Sequence, residues 1–268
     1  MRPSRSSRSV HPAAALLILA SSACAHQDRS LPSNHDLVTT EEVRLVTGMR
    51  LPLVRARLSD QGPYWFGLDT GTSMSVISPA VARSLGLPVL SAEDSGELAG
   101  AGARVVEVPS IELGRARFLR FAAVVSELDG PTQILGVPFG GVLSMNVFAG
   151  VLATLDMPHR RLLLTPGRLP EADGNTVLEL SDLQGVPTID VRIGERTLSL
   201  LLDSGADGFL TLPGGARAGQ TARVGGHHIP ARSIRAGRGH PRLGSDFFER
   251  FVATFDQSHR TIRLLQRG

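Results

Sequence analysis

The chain repeats itself in two places, at two different offsets, and this limits its fold more than any other feature. Leu143 to Leu164 reads LSMNVFAGVLATLDMPHRRLLL, and Leu243 to Leu264 reads LGSDFFERFVATFDQSHRTIRL. At a constant offset of 100, eight of the 22 positions are identical: Leu143/Leu243, Phe148/Phe248, Ala153/Ala253, Thr154/Thr254, Asp156/Asp256, His159/His259, Arg160/Arg260 and Leu164/Leu264. Upstream, Tyr64 to Pro79 (YWFGLDTGTSMSVISP) echoes Ser199 to Pro213 (SLLLDSGADGFLTLP), with Asp69 over Asp203 at an offset of 134. Two copies of one structural unit are therefore expected. The offsets differ by 34, so the first copy carries about that many more residues between its motifs. Loop-closure entropy tolerates such an insertion at small cost.

Short β-rich runs such as LPLVRARL, VVEVPSIEL, VPTIDVRI and TIRLL are separated by Gly and Pro, which predicts strands rather than helices. The clearest helix is Pro79 to Leu85, with Pro in its first turn and Gly86 as its stop. Short helical turns are expected after Asn146 and Asp246. The expected fold class is mostly β, with two similar lobes over 37–167 and 168–268 that meet near Gly167 to Asn175. Asp156-x-x-His159-Arg160 and its copy Asp256-x-x-His259-Arg260 join apolar β runs, so they are read as polar hairpin turns rather than catalytic pairs.

Arg2, Arg5 and Arg8 precede Ala13 to Ala20, AAALLILA, a run too short to span a bilayer,. Residues 1–25 are accordingly read as a secretory signal peptide. Ser21-Ser22-Ala23 before Cys24 resembles a lipoprotein signal that would lipidate the Cys24 thiol, whereas a cut after Ala25 would discard it. Both readings export the chain to the periplasm or cell envelope, with membrane contact only through the lipid anchor. Residues 26–36 are polar and are read as a flexible tether.

Without those three arginines, 25 Arg face 25 acids, which gives nucleic acid no electrostatic footprint,. The chain has no Lys, so amine nucleophiles are excluded, and its single Cys excludes an internal disulfide,. No Gly-x-Ser-x-Gly elbow is present,. His227 and His228 are neighbours on a predicted strand and point to opposite faces, so with His240 they are not read as a metal site. No metal or cofactor is expected. Arg115, Arg117 and Arg120 are read as solvated strand positions, with selection of acidic substrate side chains as the alternative.

Each copy places an acid directly after apolar residues and before a hydroxyl residue and a glycine: Asp69-Thr70-Gly71 and Asp203-Ser204-Gly205. Gly71 and Gly205 would let the backbone turn and approach the other lobe, and the Thr70 and Ser204 hydroxyls could tie the two loops together. A turn role for Asp-x-Gly is the plain structural alternative. Two carboxyls sharing one site cannot both ionise, so one would keep a proton while the other activates a water.

On these residues the chain resembles the retropepsin-like and pepsin-like aspartic peptidases, in their bacterial, single-chain, two-lobed form, over roughly residues 40 to 266. Leu243-Gly244 resembles the family element that packs behind the aspartate loop. Lobe one departs from it with Ser144 for Gly, and lobe two with Arg242 for a hydrophobe.

The resemblance implies two acid-protease β-barrel lobes related by a pseudo-twofold axis. It implies a monomer with Asp69 and Asp203 as the catalytic pair, supported by Thr70, Gly71, Thr72, Ser204 and Gly205. A flap would have its tip at Gly100, Ala101 and Gly102. The expected partner is a peptide or protein substrate, lying extended in the cleft. The alternative is an envelope lipoprotein that uses the cleft as a non-catalytic peptide-binding groove. Because Thr72 has only Ala206 as its counterpart, Asp69 is the expected charged member.

Overall fold

The structure, a computed structural model, describes residues 34–47, 51–90, 104–128, 133–134, 136–215 and 220–267. The strands follow from alternation: in Leu53–Leu58, Arg55 and Arg57 point outward while Val54, Ala56 and Leu58 are buried,. The helix Pro79–Ser84 starts where expected, with Ser78 as an N-cap whose hydroxyl accepts from Val81 N,. The two short helical turns are Met145–Phe148 and Ser245–Phe248.

The chain is mostly β, and its described residues form three sheets. In lobe one, the strands Ala116–Val125, Ser75–Ile77, Val137–Leu143, Gln61–Leu68, Leu53–Leu58 and Arg104–Leu113 pair in that order, and the last pairs back to the first. The sheet is thus a closed barrel. Lobe two has the same core order, with Arg242–Leu243 between Arg196–Leu202 and Leu210–Pro213, but among the described residues it stays an open half-barrel. The 34-residue difference explains this departure from two barrels. Lobe one closes with a hairpin of two ten-residue strands, whereas the corresponding lobe-two hairpin has only Ala222–Val224 and His227–Ile229.

The third sheet joins the lobes. Its order is Val177–Glu179, Thr261–Gln266, Phe251–Asp256, Leu152–Asp156, Arg161–Thr165 and Glu41–Arg44. The two middle strands are the offset-100 repeat paired with itself: Ala153 lies opposite Phe255, Thr154 opposite Thr254, and Leu155 opposite Ala253. The approximate twofold axis passes between Thr154 and Thr254, whose buried hydroxyls are 2.9 Å apart.

The Asp-x-x-His-Arg motifs are the hairpin turns of this sheet. Asp156 and Asp256 accept the backbone N–H of His159 and His259, and Arg160 and Arg260 have φ of 54° and 52°. The copies then diverge. Asp156 takes the Arg161 guanidinium at 2.8 Å, while Asp256 accepts Leu169 N at 2.9 Å and so anchors the chain between the lobes.

Two readings of the sequence are corrected. Residues 34–36, the end of the segment read as tether, are docked. Asn34–His35 pairs with Ala116–Val125, and Asp36 accepts Arg117 N. Arg115 is not a strand residue but sits in a hairpin turn, where its N–H and guanidinium both hold the buried Glu41. Arg117 reaches Ser110 and lies 3.8 Å from Glu112, and Arg120 pairs with Glu107, so these two have partners on the barrel wall, while Arg115 bridges to the inter-lobe sheet.

Removing one hydroxyl at the axis leaves its partner buried and unpaired. Thr154→Val should therefore lower stability by about 1–3 kcal/mol. The Thr154→Val/Thr254→Val pair should cost less than the sum of the single changes, a non-additivity that urea unfolding would measure.

Among the described residues, three carboxyls are depressed in the folded state. Burial pushes Glu41 and Asp156 up, but hydrogen bonds from Arg115, and from Arg161 and His159, outweigh it. Asp173, held by the N–H groups of Asn175, Val177 and Thr176 and by the Thr176 hydroxyl, falls to about 2. A folded pKa below the unfolded one stabilises at neutral pH and is lost as pH falls. The urea midpoint should thus drop as pH falls from about 4 toward about 2, and Asp173→Asn should flatten that slope.

Candidate active site

Each motif aspartate leaves a buried strand in the same way. Leu68 of Gln61–Leu68 runs parallel to Leu143, and Asp69 N donates to Leu143 O at 3.0 Å. Leu202 of Arg196–Leu202 runs parallel to Leu243, and Asp203 N donates to Leu243 O at 2.9 Å. The glycine two residues on then donates its N–H to the carboxylate: Gly71 to Asp69 Oδ1 at 2.8 Å, and Gly205 to Asp203 Oδ1 at 3.2 Å.

The hydroxyl residues lock the loops across the axis. Thr70 Oγ1 donates to Leu202 O at 2.7 Å and accepts Ser204 N at 2.8 Å. In the mirror arrangement, Ser204 Oγ donates to Leu68 O at 3.3 Å and accepts Thr70 N at 3.1 Å. Both residues are buried, so neither loop can separate without exposing four partners that water does not reach in the folded chain,.

The glycines are required by space rather than by a left-handed φ. A Cβ on Gly71 would stand 2.5 Å from the Asp203 carboxyl carbon, and one on Gly205 would stand 3.1 Å from both oxygens of Asp69. Each carboxylate thus lies against the other lobe's glycine. Asp69 is 6% exposed and the Asp203 side chain 15%, so the pair is largely but not wholly withdrawn from water.

The departure at Ser144 is accommodated locally. At the equivalent Gly244, a Cβ would meet the carbonyl oxygens of Ala206 and Gly208 at 2.6 and 2.5 Å. In lobe one, Ser75 lies alongside instead, its hydroxyl 3.3 Å from that of Ser144 and accepting Ser144 N at 3.0 Å.

The Thr72 hydroxyl donates to Met74 O at 3.1 Å. A charged neighbour stands in the other lobe, where Arg242 Nη1 donates to Asp203 Oδ2 at 3.2 Å. The signal for Arg242 was in the repeat, since its counterpart Val142 is apolar and buried. A charge in an apolar slot marked the position, but not the direction of its side chain.

The Gly225-Gly226 hairpin tip is pinned to the inter-lobe connection. Gly226 N donates to Asn175 O at 3.0 Å, and the His227 ring packs on Phe251. A surface hollow of about 620 Å³ near Leu169, Glu171, Glu179 and His259 is lined by neither aspartate. The flap positions Gly100, Ala101 and Gly102 lie outside the described residues, as do Cys24 and the segment 1–33.

Two carboxylates, one from each copy of a repeated β lobe, are thus held together at the pseudo-twofold axis. Residues 54–147, which include Asp69, match the family model for aspartyl protease. No match was found among curated protein sequences. The crystal structure of aspartic proteinase from Irpex lacteus is similar to this chain with a TM-score of 0.54, at 13% identity, over 85% of this chain and 98% of that one. The likeness is one of fold, the pepsin-like two-lobed arrangement. These findings support an aspartic peptidase family for the chain, and with it a peptidase, hydrolytic function.

Ser204→Ala would leave Thr70 N and Leu68 O buried without their partner. Stability should fall by about 1–3 kcal/mol, which a shift in the urea midpoint would register.

Proposed function

We propose that this protein is an aspartic endopeptidase of the cell envelope whose catalytic pair is Asp69 and Asp203. The observation that carries this is the placement of the two carboxylates, each against the other lobe's glycine and tied together by Thr70 and Ser204. The envelope location rests on the sequence of residues 1–25 alone.

Like charges so placed, each against the other lobe's glycine, disfavour double ionisation, so the reacting form carries one proton between the two carboxyls. The ionised carboxylate takes a proton from a water lying between them, and that water attacks the scissile carbonyl carbon. The protonated carboxyl gives its proton to the carbonyl oxygen. Collapse of the resulting diol breaks the C–N bond: the proton held by the base passes to the leaving nitrogen, and a diol hydroxyl returns its proton to the other carboxylate, which restores the singly protonated pair. The bound water, two carboxyls and one shared proton suffice for this balance.

A second reading has one observation in its favour: the Arg242 ion pair on Asp203 competes for an oxygen that the chemistry uses. It makes the chain a peptide-binding groove without turnover.

Incubating the full-length chain with a diverse peptide library from acidic to neutral pH separates the two. Cuts that fall by roughly 10²–10⁴-fold or more in both Asp69→Asn and Asp203→Asn are expected for the peptidase. A folded chain that cuts nothing at any pH, yet binds the peptides, would select the groove.

A further inference from the structure

Arg242 is held in a fixed pose. Its Nε donates to His240 O at 3.3 Å, Nη2 to Arg238 O at 3.2 Å and Nη1 to Asp203 Oδ2 at 3.2 Å. The loop wraps it closely enough that a Cβ on Gly239 would stand 3.2 Å from Nη2. A guanidinium carries five N–H donors. Three are used here, which leaves one on each terminal nitrogen, the fork that matches a carboxylate. The side chain is 22% exposed, so this fork is neither sealed in the core nor free to wander.

Its surroundings are cationic. From Gly208 to Ser245 the sequence has no Asp or Glu, but has six Arg and three His. In lobe one, Arg57, Arg115, Arg117 and Arg120 all face acids. In lobe two, among the described residues, Arg232, Arg235 and Arg238 have no carboxylate partner, and Arg235 lies over Gly208 on the Asp203 loop. The lobe-one counterpart of Arg242 is the apolar Val142. A substrate straddling the pair would therefore meet an apolar wall on one side and an anchored guanidinium on the other.

We infer that the enzyme selects peptides with an acidic side chain, Asp or Glu, next to the scissile bond on the lobe-two side, and that Arg242 is the specificity-determining residue that reads it. This rests on the peptidase reading above. A chain with no net excess of charge in its predicted mature form would gain such selectivity only from local arrangement, and the acid-free stretch supplies it.

The test compares fluorescently labelled peptides identical except for Glu, Gln or Leu at each position flanking the cut, using the full-length wild-type chain, Arg242→Val, Arg242→Lys and Asp69→Asn. Val is chosen because Val142 occupies the same slot of the repeat, and Arg242→Gln serves if that variant does not fold. The wild type should prefer Glu over Gln in kcat/KM by roughly tenfold at one flanking position. Arg242→Val should abolish the preference and favour Leu, while Arg242→Lys should keep part of it.

Cleavage that Asp69→Asn removes but that shows no Glu preference would overturn this inference and leave the peptidase reading intact. An Arg242→Val loss of equal size for Glu, Gln and Leu peptides would also overturn it, assigning Arg242 to the positioning of Asp203. A folded wild-type chain that cleaves nothing would end the peptidase reading instead. Anisotropy with the same labelled peptides would then still decide the Glu selectivity.

Discussion

Two carboxylates repel each other, yet this fold brings them together in a largely buried place, and much of the structure follows from holding them there. The opposing force comes from four hydrogen bonds between Thr70, Ser204 and the carbonyls of Leu68 and Leu202. These bonds work because both loops are anchored from behind, by Asp69 N on Leu143 O and Asp203 N on Leu243 O. Beneath them, the inter-lobe sheet repeats the same symmetry with the Thr154 and Thr254 hydroxyls in contact. Buried hydroxyl pairs at two levels of one axis make relative sliding of the lobes costly, because every displaced donor would lack a partner.

Symmetry in the framework coexists with divergence wherever the framework does not need it. Lobe one used its extra residues to close a barrel, while lobe two remains open among the described residues. The matching turn aspartates took different work, Asp156 binding Arg161 and Asp256 holding Leu169 of the connection. The slot that holds Val142 in one lobe holds Arg242 in the other, and this substitution puts a guanidinium on Asp203. Duplication supplies two equivalent scaffolds, and asymmetry at one slot is the simplest route to treating the two sides of a substrate differently.

The readings that succeeded share a physical basis. The helix at Pro79, the turns at Asp156 and Asp256, and the cross-tie through Thr70 and Ser204 are short-range or symmetry-imposed, so residue type and repeat offset were enough. Thr72 shows where that basis ends. Proximity in sequence says that a hydroxyl is near a carboxylate, but the donor direction depends on where the chain next turns, and here it turns to Met74 O. Docking of residues 34–36 on the barrel edge was equally illegible, since the segment is polar and its partners Leu119 and Phe118 lie more than 80 residues away.

The sequence by itself determined that the chain is a duplicated β protein carrying one Asp-Thr-Gly and one Asp-Ser-Gly, because repeats, alternation and turn residues are local properties. Only the tertiary structure decided that one lobe closes and the other does not, that Glu41 is held by Arg115, and that Arg242 reaches Asp203. Those outcomes depend on which strands become neighbours and on where long side chains find partners. A guanidinium on its flexible stem can meet carboxylates or carbonyls in many directions, and packing of the whole lobe selects one of them.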